Sequence, residues 1–269
     1  MKQVNPKYYD QKYFKIQSIS PDFSQKLNPS CFYKKYKEMA SMLKIKSIDS
    51  ICDYGCGTGD LSFLLYLKFK CSIIALDYSS DAIKICQSKL KLFKKNTDAK
   101  NNIKFLNKDN KNIPKLKNIK AVYFCDVFEH LYPSEINFIF NKISEWGNPN
   151  IIIHTDNNIY LKYIEPITHL IALILRKTSF KKLKQEKSFQ QKRHINLTNP
   201  KKLTQTMAKL EYKLVKTKYP KLDKKTIKIQ LGNLSKFKLL INLSFFLLKL
   251  FPFLSPSFYA LYSKNRISL

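Results

Sequence analysis

Three of the chain's five glycines, Gly55, Gly57 and Gly59, fall within five residues, framed by Asp53 before them and Asp60 after. Glycine is placed where the backbone must turn sharply or let a ligand approach, because no Cβ stands in the way. An apolar run over residues 47–52 enters this turn, and Leu61, Leu64 and Leu65 leave it at helical spacing. Strand, glycine turn and helix N-terminus make the entry of a nucleotide-type site. A pyrophosphate does not suit it: the dinucleotide fingerprint needs Gly or Ala at the sixth position from Gly55, where Asp60 stands, and Asp53 would repel a phosphate. The ligand expected is nucleoside-like and cationic. A second set of residues could move protons: His130, His154 and His194 all fall near predicted strand ends or the edge of an insertion.

The elements that must position these residues follow from the hydrophobic pattern. Residues 72–76 form a short apolar run ending in Asp77, 24 residues after Asp53, where a carboxylate accepts both hydroxyls of a ribose. Tyr78 beside it is placed to stack on a base, and Ser80 or Asp81 to cap the next helix. Residues 103–106 alternate like a strand and lead to Asp109 and Asn110; residues 121–125 read as a buried strand. A helix over residues 137–143 and a turn at Gly147, Asn148 and Pro149 precede a fifth strand over residues 151–153. His154 then sits at its carboxyl end, on the rim where open α/β sheets place ligands. Residues 214–219 and 258–262 complete an α/β, Rossmann-like, seven-stranded and mostly parallel sheet with helices on both faces. A helix is also expected over about residues 30–44.

The run D-x-G-C-G-T-G from Asp53 to Gly59 resembles the first motif of class I S-adenosylmethionine-dependent methyltransferases. The run Asp126-Val127-Phe128-Glu129-His130-Leu131 resembles the signature after the fourth strand of that family, and the Y-Y-D-x-x-Y-F cluster over residues 8–14 resembles the segment that covers the active site in small-molecule members. S-adenosyl-L-methionine is an adenosine without phosphate that carries a sulfonium and an α-ammonium, the kind of cation the glycine turn asks for. The resemblance implies cofactor contacts from Asp53, Gly55, Cys56, Gly57, Gly59, Asp77, Tyr78, Asp109, Asn110 and Asp126. Lys108 stands where the family has the glycine of a G-D pair before Asp109. Ubiquinone-biosynthesis O-methyltransferases look similar around Asp126, Glu129 and His130, whose i, i+3, i+4 spacing lines one face of a short helix. There the resemblance implies a divalent metal; a reaction without metal is the favoured reading.

Composition narrows the acceptor. The net charge of +30 invites a nucleic-acid reading, but only three of 49 basic residues are arginine, the residue suited to bidentate phosphate and guanine recognition. The [DN]-P-P-[YF] motif of enzymes that methylate nucleobase nitrogens is also missing after the fourth strand. Residues 1–150 carry 25 basic and 14 acidic side chains and residues 151–269 carry 24 and 5, so the second half is the part suited to an anionic partner. The six cysteines form no C-x-x-C pair and suggest a reducing compartment. No apolar secretory segment occurs in residues 1–11, so a cytoplasmic location is expected, with peripheral contact at the inner membrane surface as an extension.

One domain over residues 1–269 is expected: an N-terminal helical segment (1–48), a cofactor-binding half (49–156), a cap insertion (157–193) and a C-terminal half (194–269). The cap's apolar helix (Ile164, Ile167, Leu170, Ile171, Ile174, Leu175) and the segment over residues 236–253, too short to span a bilayer, read either as helices packed on the sheet and on each other or as one apolar, lysine-rimmed face on a membrane surface. The function expected is methyl transfer to a small or lipid-linked acceptor, with O-methylation favoured and His130, His154 and His194 as candidate bases. An RNA methyltransferase and a non-catalytic cofactor-binding module are the alternatives.

Overall fold

The computed structural model describes residues 4–17, 20–97, 102–174, 178–220, 242, 246 and 248–264. In chain order its main elements are α1 (Gln11–Gln17), α2 (Lys34–Ala40), β1 (Ser50–Tyr54), α3 (Asp60–Phe69), β2 (Ser72–Asp77), α4 (Ser80–Lys95), β3 (Ile103–Asn107), β4 (Ile119–Cys125), α5 (Pro133–Ser144), β5 (Asn150–Asp156), α6 (Glu165–Ile174), α7 (Phe180–Gln191), α8 (Pro200–Lys209), β6 (Lys213–Lys218) and β7 (Ser257–Ser263). The sheet order is β3-β2-β1-β4-β5-β7-β6. Strands β1 to β5 pair in parallel, and β7 enters antiparallel between β5 and β6.

Parallel neighbours need crossover helices, which cover both faces and bury both sides of each strand. Along β4, Ala121 and Tyr123 join the core beneath α3 with Ile51, Phe63 and Leu64, while Val122 and Phe124 join the opposite core with Ile139, Phe140 and Trp146. From β1 the chain proceeds to β2 on one side and later returns to β4 on the other. The crevice above the carboxyl ends of β1 and β4 is therefore the switch point where such sheets bind ligands.

Several local expectations change. The helix expected over residues 30–44 is a single turn, Pro29–Cys31, followed by the shorter α2, because Phe32 is extended (φ −86°, ψ 156°) and breaks the run. The cap of α4 is Ser79, whose Oγ accepts from the Ala82 N–H at 3.2 Å, rather than Ser80 or Asp81. Asn199 caps α8, with Pro200 in its first turn. The insertion after β5 starts with a wide helical turn, Tyr160–Ile164, and continues into α6 and α7. The apolar segment over residues 236–253 lies for the most part outside the described residues. No helix among the described residues is long and apolar enough to cross a membrane.

Candidate active site

A cavity of roughly 230 Å³ opens at the switch point, lined by Gly55, Cys56, Gly57 and Thr58 of the glycine turn, by Asp53 and Asp77 at the ends of β1 and β2, and by Asp126 and Val127 after β4. The glycines divide the labour. All three have positive φ, at 71°, 52° and 80°. A Cβ on Gly55 would stand 2.4 Å from Val127 Cγ2, so the turn packs hard against the β4 end. A Cβ on Gly59 would meet Phe105 at 2.9 Å and the Cys86 sulfur at 3.0 Å, which makes Gly59 a helix-to-sheet packing residue; it does not line the cavity. At Gly57 the space is open apart from Phe14 at 3.8 Å, and its backbone faces the cavity.

All four carboxylates expected to meet the cofactor, Asp53, Asp77, Asp109 and Asp126, line this cavity. Asp77 is fixed by the Gly57 N–H on Oδ2 and the Ser79 N–H on Oδ1, each at 2.8 Å. Burial raises its pKa to about 6 in spite of those N–H groups. Asp53 is 1% exposed; its Oδ2 accepts from the Ser62 hydroxyl at 2.6 Å, and its Oδ1, also buried, has no hydrogen-bond partner among the described residues. Burial raises Asp53 to about 7. A buried carboxylate oxygen without a partner costs free energy until a cation or donor reaches it. That orphan oxygen, the pinned Asp77 and the open Gly57 backbone fit a nucleoside bearing an ammonium.

Around the rest of the cavity the expected contacts separate. Tyr78 lines it and packs edge-on against Tyr9, with ring centroids 5.7 Å apart. Asp109 lines it while its Oδ1 holds a turn through the Lys111 and Asn112 N–H groups. Asn110 is spent on the protein: its Oδ1 accepts from the Tyr54 hydroxyl and its Nδ2 donates to Glu135, both at 2.6 Å. Tyr9, Tyr13 and Phe14 of the N-terminal segment also line the cavity, and the Tyr9 carbonyl accepts from the Ser79 hydroxyl at 2.8 Å.

A second cavity, about 450 Å³, adjoins the first and shares Tyr13, Lys35, Asp126 and His130 with it. All three candidate histidines line it, in different states. The His130 Nδ1 lies 3.0 Å from the Arg193 carbonyl; a carbonyl only accepts, so Nδ1 carries the proton and Nε2 keeps its lone pair. Burial lowers the His130 pKa to about 4, leaving the ring neutral at physiological pH. The His194 Nδ1 lies 3.2 Å from Asp156 Oδ2, and its ring meets that of His130 edge-on at 4.8 Å. His154 is not on the rim as expected. It is 5% exposed, with Nδ1 at 2.5 Å from Asp126 Oδ1 and Nε2 at 3.0 Å from the Ser257 hydroxyl, so both nitrogens are committed.

The alternative metal set that the resemblance implied, Asp126, Glu129 and His130, does not form one face. Asp126 is left-handed (φ 56°) and only Phe128–His130 make a helical turn, of 3-10 type, so α-helical spacing never applies. Glu129 is buried; its Oε2 accepts from the Thr155 hydroxyl at 2.8 Å, and burial followed by Asp156 and Asp126 raises its pKa well above the ordinary value. The described residues that do converge are Cys125, Asp126 and His154. Asp126 there is ion-paired with Lys35: burial would raise its carboxyl, but Lys35 and then His154 hold it below the usual range.

Sequence reasoning missed Lys35, which borders both cavities, and the Arg193 carbonyl that sets the His130 tautomer. One lysine among 49 basic residues carries no signal, and a main-chain oxygen carries none. The buried Tyr54–Asn110–Glu135 chain was missed too, although Glu135 stands three residues after Tyr132, whose N–H it accepts at 2.9 Å.

Sheet order, glycine turn and ribose-type carboxylate together define the class I S-adenosylmethionine-dependent methyltransferase fold. The chain belongs to the methyltransferase-domain family, whose model matches residues 45–211. It is an S-adenosylmethionine-dependent methyltransferase. No curated protein matches the sequence. Solved structures similar to it include Haemonchus contortus phosphoethanolamine N-methyltransferase 2 in complex with S-adenosyl-L-methionine (13% identity, 96% of this chain and 56% of that one, TM-score 0.59). Geranyl diphosphate C-methyltransferase from Streptomyces coelicolor A3(2) is similar at 10% identity over 86% of this chain and 75% of that one (TM-score 0.58). The magnesium protoporphyrin IX methyltransferase of Synechocystis PCC 6803 with bound SAH is similar at 12% identity over 86% and 83% (TM-score 0.55). At these identities the likeness is one of fold.

Proposed function

We propose that the enzyme methylates a hydroxyl of a small or lipid-linked acceptor seated in the second cavity, with the cofactor in the first and His130 as general base. The observation that carries this reading is the neutral His130 ring at the boundary of the two cavities, its Nδ1–H fixed on the Arg193 carbonyl and Nε2 left with a lone pair. In the cofactor cavity Asp77 accepts the ribose hydroxyls and Asp53 Oδ1 the α-ammonium. The Gly55 to Gly57 backbone lies along the methionine moiety, and Tyr78 and Asp109 border the adenine.

Methyl transfer is an in-line displacement. The acceptor oxygen bonds to the methyl carbon, the carbon–sulfur bond breaks and its electron pair stays on sulfur, which becomes neutral. The hydroxyl proton passes to His130 Nε2. Sulfonium is already a good leaving group, so the protein mainly holds the two reactants in line. The base adds what positioned proton transfer contributes, about 10² to 10⁴ in rate. His194, held by Asp156, is the second candidate.

The test is label transfer from methyl-labelled S-adenosylmethionine to cell extract split into lipid, sugar-nucleotide and RNA fractions. Label in the lipid or sugar-nucleotide fraction, stable to mild acid as an ether is, supports the reading. Label confined to RNA overturns it in favour of a nucleic-acid acceptor.

A further inference from the structure

The insertion, which reaches the second cavity through Gln190 and Arg193 at its end, carries an exposed apolar stripe. Tyr163, Ile167, Leu170 and Ile174 recur at i, i+4, i+7 and i+11, so they share one face of the turn and α6. They are 56, 55, 57 and 70% exposed, whereas Ile164, Ile171 and Leu173 on the other positions are half-buried. An amphipathic helix of a globular protein turns its apolar face inward. Here four large apolar side chains on one line face outward. Phe180, at the start of α7, is a further exposed apolar side chain (78%), and exposed Lys181, Lys182, Lys184 and Lys187 follow it. Residues 176–193 hold eight basic side chains and one acidic.

We propose that this stripe seats in the surface of an anionic lipid bilayer, with the lysines of α7 on its headgroups. Residues 160–174 make a helix about 22 Å long, too short to span the hydrocarbon and suited to lie in its interface. Apolar side chains bordered by lysines are the composition of such an element. A second copy of this chain is a poorer occupant, because it brings its own eight basic residues, and its net charge of +30, against the same charges. The insertion leaves β5 beside Asp156 and returns at Arg193 and His194, all of which line the second cavity. Bilayer docking therefore sets the membrane beside the acceptor compartment, and the acceptor is one with a lipid anchor. This last step rests on the reading of the second cavity given above.

The experiment is flotation of the full chain with vesicles of phosphatidylcholine alone or with added phosphatidylglycerol, at low and high salt. Binding is expected only to the anionic vesicles, and to be released by salt. Each of Lys181→Glu, Lys182→Glu and Lys184→Glu should lower the partition about fivefold or more. The combined Ile167→Ser, Leu170→Ser and Ile174→Ser variant should lose binding while keeping its helix content. None of these residues lines either cavity, so cofactor affinity by calorimetry should stay at the wild-type value in both sets. Failure to float with anionic vesicles at low salt overturns the proposal. So does serine-variant binding equal to wild type, or a wild-type dimer that those serines make monomeric. Loss of cofactor binding in the wild type would instead count against the methyltransferase site, so the two failures are told apart.

Discussion

Asp77 offers a perturbation whose size and sign both follow from its surroundings. A carboxylate has about four acceptor positions, and the Gly57 and Ser79 N–H groups take one on each oxygen, leaving a pair for a ribose diol. Removing a charge-assisted pair of this kind costs about 1.5 to 3 kcal/mol, so Asp77→Ala should weaken S-adenosylmethionine roughly ten- to over a hundredfold. The pH dependence supplies a second reading. Burial raises the pKa of Asp77 in the ligand-free protein to about 6, and the diol prefers the ionised form, so the part of the affinity that Asp77 supplies rises with pH through about 6. At pH 5 Asp77 alone should account for about a tenfold loss, and Asp53, raised to about 7, deepens it and carries the rise on through pH 7. The stability of the ligand-free protein runs the other way. A raised folded-state pKa gives stability that is present in acid and lost as pH climbs through about 6, so the thermal shift caused by the cofactor should grow toward neutral pH. Calorimetric titration of wild type and Asp77→Ala between pH 5 and 8 is the assay. A wild-type affinity flat across that range, or equal affinities for the two proteins, would refute the assignment.

Other perturbations test the packing and the chemistry separately. Gly55→Ala places a methyl 2.4 Å from Val127 Cγ2 at a φ of 71° and should cost about 2 to 4 kcal/mol in chemical unfolding, part of which Val127→Ala restores by removing the clash but not the strain. His130→Gln should lower kcat by about 10² to 10⁴ while cofactor affinity holds, and because the ring's pKa is lowered to about 4, wild-type kcat should show no histidine step near pH 6.5. Asp126→Asn keeps a residue that tolerates positive φ but leaves Lys35 without its carboxylate. With a third of the Asp126 side chain exposed, a loss of about 1 to 2 kcal/mol is expected, and Lys35→Met in the same chain should recover it in thermal melts.

The parts of this site that were legible in the sequence are those where one residue type is forced by geometry. Glycines at positive φ and a carboxylate at the end of β2 leave few substitutes, and the spacing from Asp53 to Asp77 follows from one strand, one helix and one strand. Even there, Gly59 was read as a ligand contact when its work is to admit Phe105 and Cys86. His154 was misplaced because the fifth strand was read as ending at residue 153. Pairing with β7 sets His154 against Tyr259, Thr155 against Phe258 and Asp156 against Ser257, and this extension buries a ring that the local pattern left on the rim. The helical face of Asp126, Glu129 and His130 failed for a backbone reason, since a left-handed Asp126 blocks the α-helix that the spacing assumes.

The His130 proposed as base is held by the segment in which the insertion returns to the sheet. Where the insertion returns to the sheet, the Arg193 carbonyl accepts from His130, the Asn196 N–H donates to the Glu129 carbonyl at 3.0 Å, and the Asn196 side chain donates to the Phe128 carbonyl at 3.2 Å. The whole Phe128–His130 turn is thus stitched to residues 193–196. The backbone of that segment decides which nitrogen of His130 is protonated and leaves the lone pair on the other, the atom proposed to meet the acceptor hydroxyl. Asn158 and Thr198 close the same seam one step further, with a 2.7 Å bond from the Asn158 N–H to the Thr198 carbonyl. On the proposed reading the tautomer of the base is therefore set by main-chain hydrogen bonds, which leave no trace in side-chain motifs.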